Sequence, residues 1–256
     1  LYKRIEEGLE FENVQSKLSA EIVEILYSER RNDDVTSSDL SGASYSLSPS
    51  RIEKFSKCPF SHFVSYGLRP EERREFAVSA REIGDLYHET IMHVTKHLSD
   101  EDCWQAIGNS ELRDLVYNYI EAVSHKYREG IFENSNREKY WLERAKTACF
   151  EVCKQLVEQA RVGKIEKSYY EERFGRRGQF PPIEVETEAG KVFIEGKIDR
   201  VDLLPGNRVK IIDYKTGRES FDKTEERTGY RLQLMLYLAA AQGKSRKPAG
   251  VFYFLI

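Results

Sequence analysis

No apolar run in the 256 residues reaches the roughly 18 positions that a membrane-crossing helix needs, so no membrane partner is expected. Cysteine is scarce: the four stand at 58, 103, 149 and 153, and none forms a Cys-x-x-Cys pair, which removes the usual zinc signal. The opening Leu1-Tyr2-Lys3-Arg4-Ile5-Glu6-Glu7 lacks the apolar stretch of a secretory leader, so the cysteines read as reduced thiols in a cytoplasmic setting. No Gly-x-x-x-x-Gly-Lys-Ser/Thr loop occurs, and ATP hydrolysis by this chain is not expected. Excess charge of one sign is missing too: 40 Lys and Arg against 43 Asp and Glu leave a net charge of -3. That excludes a surface coated in positive charge, but local basic patches are enough to hold phosphates. Neither repeats nor low-complexity tracts are present. The chain does not begin with Met and closes on the apolar run Val251–Ile256 with no turn after it, so it reads as a segment of a longer polypeptide.

Residues 1–31 read as one charged helix, with Leu9, Val14, Leu18, Ile22 and Ile25 at roughly helical spacing. Residues 32–47 are Ser- and Asp-rich and read as a linker. A helix is expected from Ser48-Pro49, a good cap followed by a residue suited to the first turn, ending before Cys58-Pro59. Three more helices follow, over 79–98 with an apolar stripe of Ile83, Tyr87, Ile91, Val94 and Leu98, and over 110–129 and 137–162. Beyond about 165 the pattern turns to strands at 168–174, 184–204, 208–215 and 249–256, with a helix over 228–242. The fold class is mixed α/β. The expected division is 1–44 as helix and linker of a preceding region, and 45–256 as one domain with a helical insert at about 99–163.

The run Phe193–Leu204, the tripeptide Pro205-Gly206-Asn207 and the run Arg208–Lys215 form a hairpin pattern. Asn207 tolerates the left-handed conformation that closes a three-residue loop. With Leu204 opposite Arg208, Val201 meets Ile211 and Leu203 meets Val209. Asp199 then lies opposite Asp213 and Asp202 opposite Lys210. A two-residue loop would put the two aspartates on opposite faces. Lys215, two residues beyond Asp213, shares its face. Paired carboxylates repel, and a divalent cation with oxygen ligands, Mg²⁺ or Mn²⁺, relieves that repulsion. A lysine beside it can act on an attacking water and offset charge on a phosphate. The alternative is a hairpin with surface ion pairs.

Gly196-Lys197-Ile198-Asp199-Arg200 followed by Ile211-Ile212-Asp213-Tyr214-Lys215-Thr216-Gly217 resembles the PD-(D/E)XK nuclease signature in its RecB-like form. Gln233-Leu234-Met235-Leu236-Tyr237 resembles the Gln-x-x-x-Tyr element of that branch, whose two side chains share a helix face. Gly84-Asp85-Leu86-Tyr87-His88 resembles the segment that supplies the family's metal-binding histidine. The small Gly84 one turn earlier is expected to admit another chain element closely. The segment Leu47–Phe60 resembles the start of the nuclease domain in the B subunits (AddB/RexB group) of ATP-dependent helicase/deoxyribonucleases.

The resemblance implies a restriction-endonuclease-like central mixed sheet flanked by helices, cut short at its C-terminal end, with a helical N-terminal portion. Asp199, Asp213 and Lys215 are the implied catalytic residues, and His88, Asp199, Asp213 and the Tyr214 backbone carbonyl the implied metal ligands. Gln233 and Tyr237 are implied to contact DNA. Glu172 is a candidate for the acidic residue of an earlier strand, with Glu171 competing. Cys58 matches the first of four ligands in iron–sulfur members. The other three cysteines here do not match, so a cluster is expected in a full-length protein only, or not at all. The implied activity is Mg²⁺-dependent exonucleolytic cleavage of DNA ends, single strands included, with the A subunit of the helicase–nuclease as partner. Arg176, Arg177, Lys197, Arg200, Arg218, Lys223, Arg227 and Arg231 are the basic residues near the proposed site. A noncatalytic DNA-binding or docking module on the same fold is the competing reading. An endonuclease of restriction or junction-resolving type is a third, disfavoured by the Gln-x-x-x-Tyr element and the Cys-Pro-Phe segment.

Overall fold

The computed structural model describes residues 44–70, 78–127, 132, 135–187, 190–217, 231–243 and 245–256. The expected helix over 1–31, most of the linker, and Arg218, Lys223 and Arg227 lie outside them. The end of that linker is a short strand instead, β1 (Ser44–Leu47), which pairs in parallel with β4 (Gly190–Ile194).

Helix α1 (Pro49–Lys57) starts where Ser48 Oγ accepts the Arg51 N–H at 3.3 Å. It stops at Lys57, because Pro59 forces Cys58 into extended geometry (φ -163°, ψ 103°). A short α2 (Pro59–His62) runs into a π-helical turn, Phe63–Leu68. Helix α3 (Ala80–Asp100) opens with a reciprocal cap between Ser79 and Glu82. Its fully buried face is Leu86, Thr90, Ile91, Val94, Thr95 and Leu98, so the apolar stripe sits slightly rotated from the expected one. With α4 (Asn109–Ser124) and α5 (Asn136–Val162) it forms a helical layer.

The main sheet has the order β2 (Lys167–Phe174), β5 (Gly196–Leu204), β6 (Arg208–Lys215), β7 (Lys247–Leu255), antiparallel except for the parallel β6–β7 pair. A smaller sheet orders β1, β4 and β3 (Ile183–Thr187). The β5–β6 hairpin has the expected register, from Leu204 opposite Arg208 to Arg200 opposite Ile212. Gly206 and Asn207 both take positive φ, 79° and 57°, to close the loop.

Strand alternation then divides the interior. Val201, Val209, Ile211 and Val251 face α1, the small sheet and α6 (Gln233–Gln242). Ile212, Tyr214 and Phe254 face the helical layer. Arg200 also faces that layer and does not contribute to a basic surface. It is 1% exposed, lies 5.4 Å from the Trp104 and Tyr170 ring centres, and places Nε 2.7 Å from Asp202 Oδ1. Lys210 Nζ reaches Asp202 Oδ2 at 2.8 Å and the Ser168 hydroxyl donates to Oδ1 at 2.7 Å. Burial pushes the Asp202 carboxyl up, but the two cations outweigh it and hold it below the usual range.

Candidate active site

The β5–β6 ladder ends at Arg200 and Ile212. Just beyond it, the Tyr214 N–H donates to the Asp199 carboxylate, Oδ2, at 2.9 Å. The strands part here, and side chains from both layers enter the gap. His88 comes from α3, with Nδ1 3.4 Å from Asp199 Oδ2 and 3.9 Å from Glu171 Oε1, and its ring packs edge-on against Tyr214. Glu171 comes from β2, between the Tyr170–Arg200 and Glu172–Ile198 pairs, and also pairs with Lys197. Its backbone is left-handed, φ 51°, a conformation that a strand residue with a side chain rarely adopts. Such strain is held at sites where the surroundings fix it. One donor atom from each of His88, Glu171 and Asp199 lies within 4.8 Å of the others, a potential metal cluster among the described residues.

On β6, turned toward the other layer, Asp213 is 1% exposed and its Oδ2 lies 2.7 Å from Lys215 Nζ. The Gln233 amide ties this pair to α6. Its Nε2 donates to Asp213 Oδ1 at 3.2 Å and to Tyr237 Oη at 2.7 Å, and its Oε1 accepts from Lys215 Nζ at 3.3 Å. The Gln-x-x-x-Tyr pair thus shares one helix face, turned toward the Asp-x-Lys strand.

The electrostatics are those of an acidic cluster held together by cations. Burial, then the Asp199 charge, pushes the Asp213 carboxyl up to about 7, against Lys215 and His88. Burial opposes charge on His88, but hydrogen bonds to Asp199 and Glu171 raise its imidazole to about 10. Glu171 is pushed up by burial yet ends below the usual range, because His88 and Lys197 hold its charged form.

Several residues are placed differently from the sequence reading. Glu171, not Glu172, joins the cluster; Glu172 pairs with Ile198 in the strand register. Asp213 stands beside the three-residue cluster, bound to Lys215 and Gln233, rather than within it. Tyr214 meets the site through its N–H and its ring. Outside its chain neighbours and the backbone of its own helix, Gly84 has no described atom within 4 Å of where a Cβ would stand, so no other described element approaches there. Cys58 is exposed at the start of α2, its Sγ accepting the Ser61 N–H at 3.4 Å, while Cys149 and Cys153 are buried in the helical core. Glu53 was not singled out by the sequence reading, yet its Oε1 accepts the N–H groups of Leu232 at 2.7 Å and Gln233 at 2.8 Å.

The description of the PD-(D/E)XK nuclease superfamily matches residues 46–256. The chain is 38% identical over 221 residues, 82% of its length, to the B subunit of the ATP-dependent helicase/deoxyribonuclease from Alkaliphilus oremlandii (strain OhILAs). It is 34% identical over 227 residues, 84% of its length, to the protein of the same name from Clostridium tetani (strain Massachusetts / E88). These matches cover 19% and 20% of the relatives, so the chain spans about a fifth of their length. An Asp and an Asp-x-Lys brought together at a parting hairpin, under a family match running from β1 to the last residue, make this chain a member of the PD-(D/E)XK nuclease superfamily.

Proposed function

We propose that this domain is the metal-dependent deoxyribonuclease of a helicase–nuclease acting in double-strand break repair and recombination, cutting phosphodiester bonds exonucleolytically at linear DNA ends, single strands included. The observation that carries the reading is the cluster of His88, Glu171 and Asp199 donor atoms within 4.8 Å of one another, beside the Asp213–Lys215 pair. The donor set suits a hard divalent cation: two carboxylates and an imidazole, with a third carboxylate next to them destabilised as an anion. Asp213 and the Tyr214 carbonyl complete the proposed ligand set, and Mg²⁺ or Mn²⁺ is the proposed ion. When bound, the ion supplies Lewis-acid stabilisation of the phosphate. Lys215 directs its amine to the attacking water and to charge developing on the phosphate. Gln233 fixes the Lys215 amine and is the residue of the pair proposed to meet the DNA backbone; Tyr237, buried at 6% exposure, fixes the Gln233 amide.

The names of the relatives, each the B component of a helicase/deoxyribonuclease, support an A component as partner and a motor outside this segment. The protein is proposed to work in the cytoplasm, and any iron–sulfur cluster using Cys58 belongs to the full-length protein. End-labelled single- and double-stranded DNA incubated with Mg²⁺, Mn²⁺ or chelator tests the reading. Cleavage with metal, none with chelator, and none by Asp213→Ala is expected. Binding without cleavage under all metals favours the noncatalytic module.

A further inference from the structure

Helix α6 carries Gln233 and Tyr237 but begins without a cap of its own. Its capping position is Leu232, which has no side chain able to accept a hydrogen bond, and no acidic residue stands in its first turn. The first N–H groups of a helix have no partner within it and concentrate its positive partial charge. Glu53, on α1 and about 180 residues earlier, supplies both the acceptor and the negative charge. One oxygen takes the N–H groups of Leu232 and Gln233 at 2.7 and 2.8 Å. The neighbouring Ile52 and Phe55 lock α1 into the same core as Leu232, Leu234 and Tyr237. The residue whose N–H is clamped is the one whose side chain bridges Asp213, Lys215 and Tyr237.

We propose that Glu53 is a positioning residue for DNA cleavage, acting through Gln233: its carboxylate fixes the first turn of α6 and so sets the Gln233 amide against Lys215 and Asp213. The inference rests on the nuclease reading. It also assigns a task to the segment before Cys58, which holds the start of the helix that completes the site. A displacement of about 1 Å at such a position costs up to about 10²-fold in rate.

Single-turnover cleavage in a double-mutant cycle tests it, with wild type, Glu53→Ala, Gln233→Ala and the double variant. Glu53→Ala is expected to slow cleavage about tenfold. Glu53→Gln, which keeps an acceptor oxygen, is expected to stay within about threefold of wild type. In the Gln233→Ala background, Glu53→Ala is expected to change the rate less than about twofold, because residues acting through one another are not additive. Amide exchange at Leu232 and Gln233 reads the clamp itself and is expected to quicken in Glu53→Ala. If Glu53→Ala does not fold, Glu53→Asp, one methylene too short for the reach, replaces it with the same expectations. The same rate loss in both backgrounds, or unchanged exchange, overturns the inference while leaving an active nuclease. A wild type inert with every metal overturns the nuclease reading and this inference with it.

Discussion

Metal binding at this site is expected to release protons. In the metal-free protein the His88 imidazole titrates near 10, held protonated by Asp199 at 3.4 Å and Glu171 at 3.9 Å. A ligating imidazole must be neutral, so the proton has to leave before the ring can coordinate. At neutral pH the gap is about three pH units, which weakens apparent affinity by about 10³-fold, or about 4 kcal/mol at 1.36 kcal/mol per unit. Asp213, raised to about 7, adds a second proton on the acid side of neutrality. Mn²⁺ affinity should therefore climb about tenfold per pH unit between 7 and 8.5, and more steeply from 6 to 7. Calorimetry in buffers of differing ionisation enthalpy reads the release directly: about one proton per ion at pH 8, approaching two at pH 6. His88→Gln should flatten the profile above pH 7. A flat wild-type profile, or a His88→Gln profile as steep as the wild type, would refute the reasoning.

Four further outcomes follow from the same geometry. Lys215→Ala should lower single-turnover cleavage by about 10²–10³-fold while leaving DNA affinity in Ca²⁺ nearly intact, and Lys215→Arg should not rescue, since guanidinium keeps its proton. Glu171→Gln should weaken Mn²⁺ binding in calorimetry, whereas Glu172→Gln, outside the cluster, should leave it unchanged; equal effects would return the choice between the two to open. Arg200→Met should destabilise by about 3–5 kcal/mol, because among the described residues Asp202 keeps only Lys210 as a cationic partner. For a chain of this size that lowers the thermal midpoint by about 10 °C. Without metal, the stability that His88 gains from its two carboxylates is present in full below pH 6.5 and lost as pH rises through about 10. The thermal midpoint of the apo protein should accordingly fall between pH 7 and 10, and fall less in His88→Gln.

What the sequence revealed, it revealed where rules are local. The tripeptide Pro205-Gly206-Asn207 and the apolar pairs flanking it were sufficient for the hairpin register, and through it for Asp213 and Lys215 on one side. Ser48, Pro49 and Pro59 marked both ends of α1 for the same reason. The choice between Glu171 and Glu172 stayed open because alternation along a strand presumes regular backbone, and the left-handed turn at Glu171 breaks the presumption. Glu53 escaped because its partners lie 179 and 180 positions away and are backbone groups, which leave no mark in side-chain chemistry. β1 escaped because four residues in a Ser-rich stretch carry too little pattern. Arg200 was grouped with the basic residues near the site because Trp104 and Tyr170, which close around it, lie far away in sequence.

The parting of β5 and β6 has a further consequence. His88 belongs to the helical layer and Gln233 to the opposite one, and they converge only because the sheet between them opens at Asp199 and Tyr214. Neither half of the domain holds the full constellation. A molecule with one layer loosened would keep its strands and most of its mass and yet be unable to cut. For a nuclease of the proposed kind this is a safeguard: damage to either layer silences the domain before it can become indiscriminate. Heating should then extinguish cleavage a few degrees ahead of the loss of secondary structure.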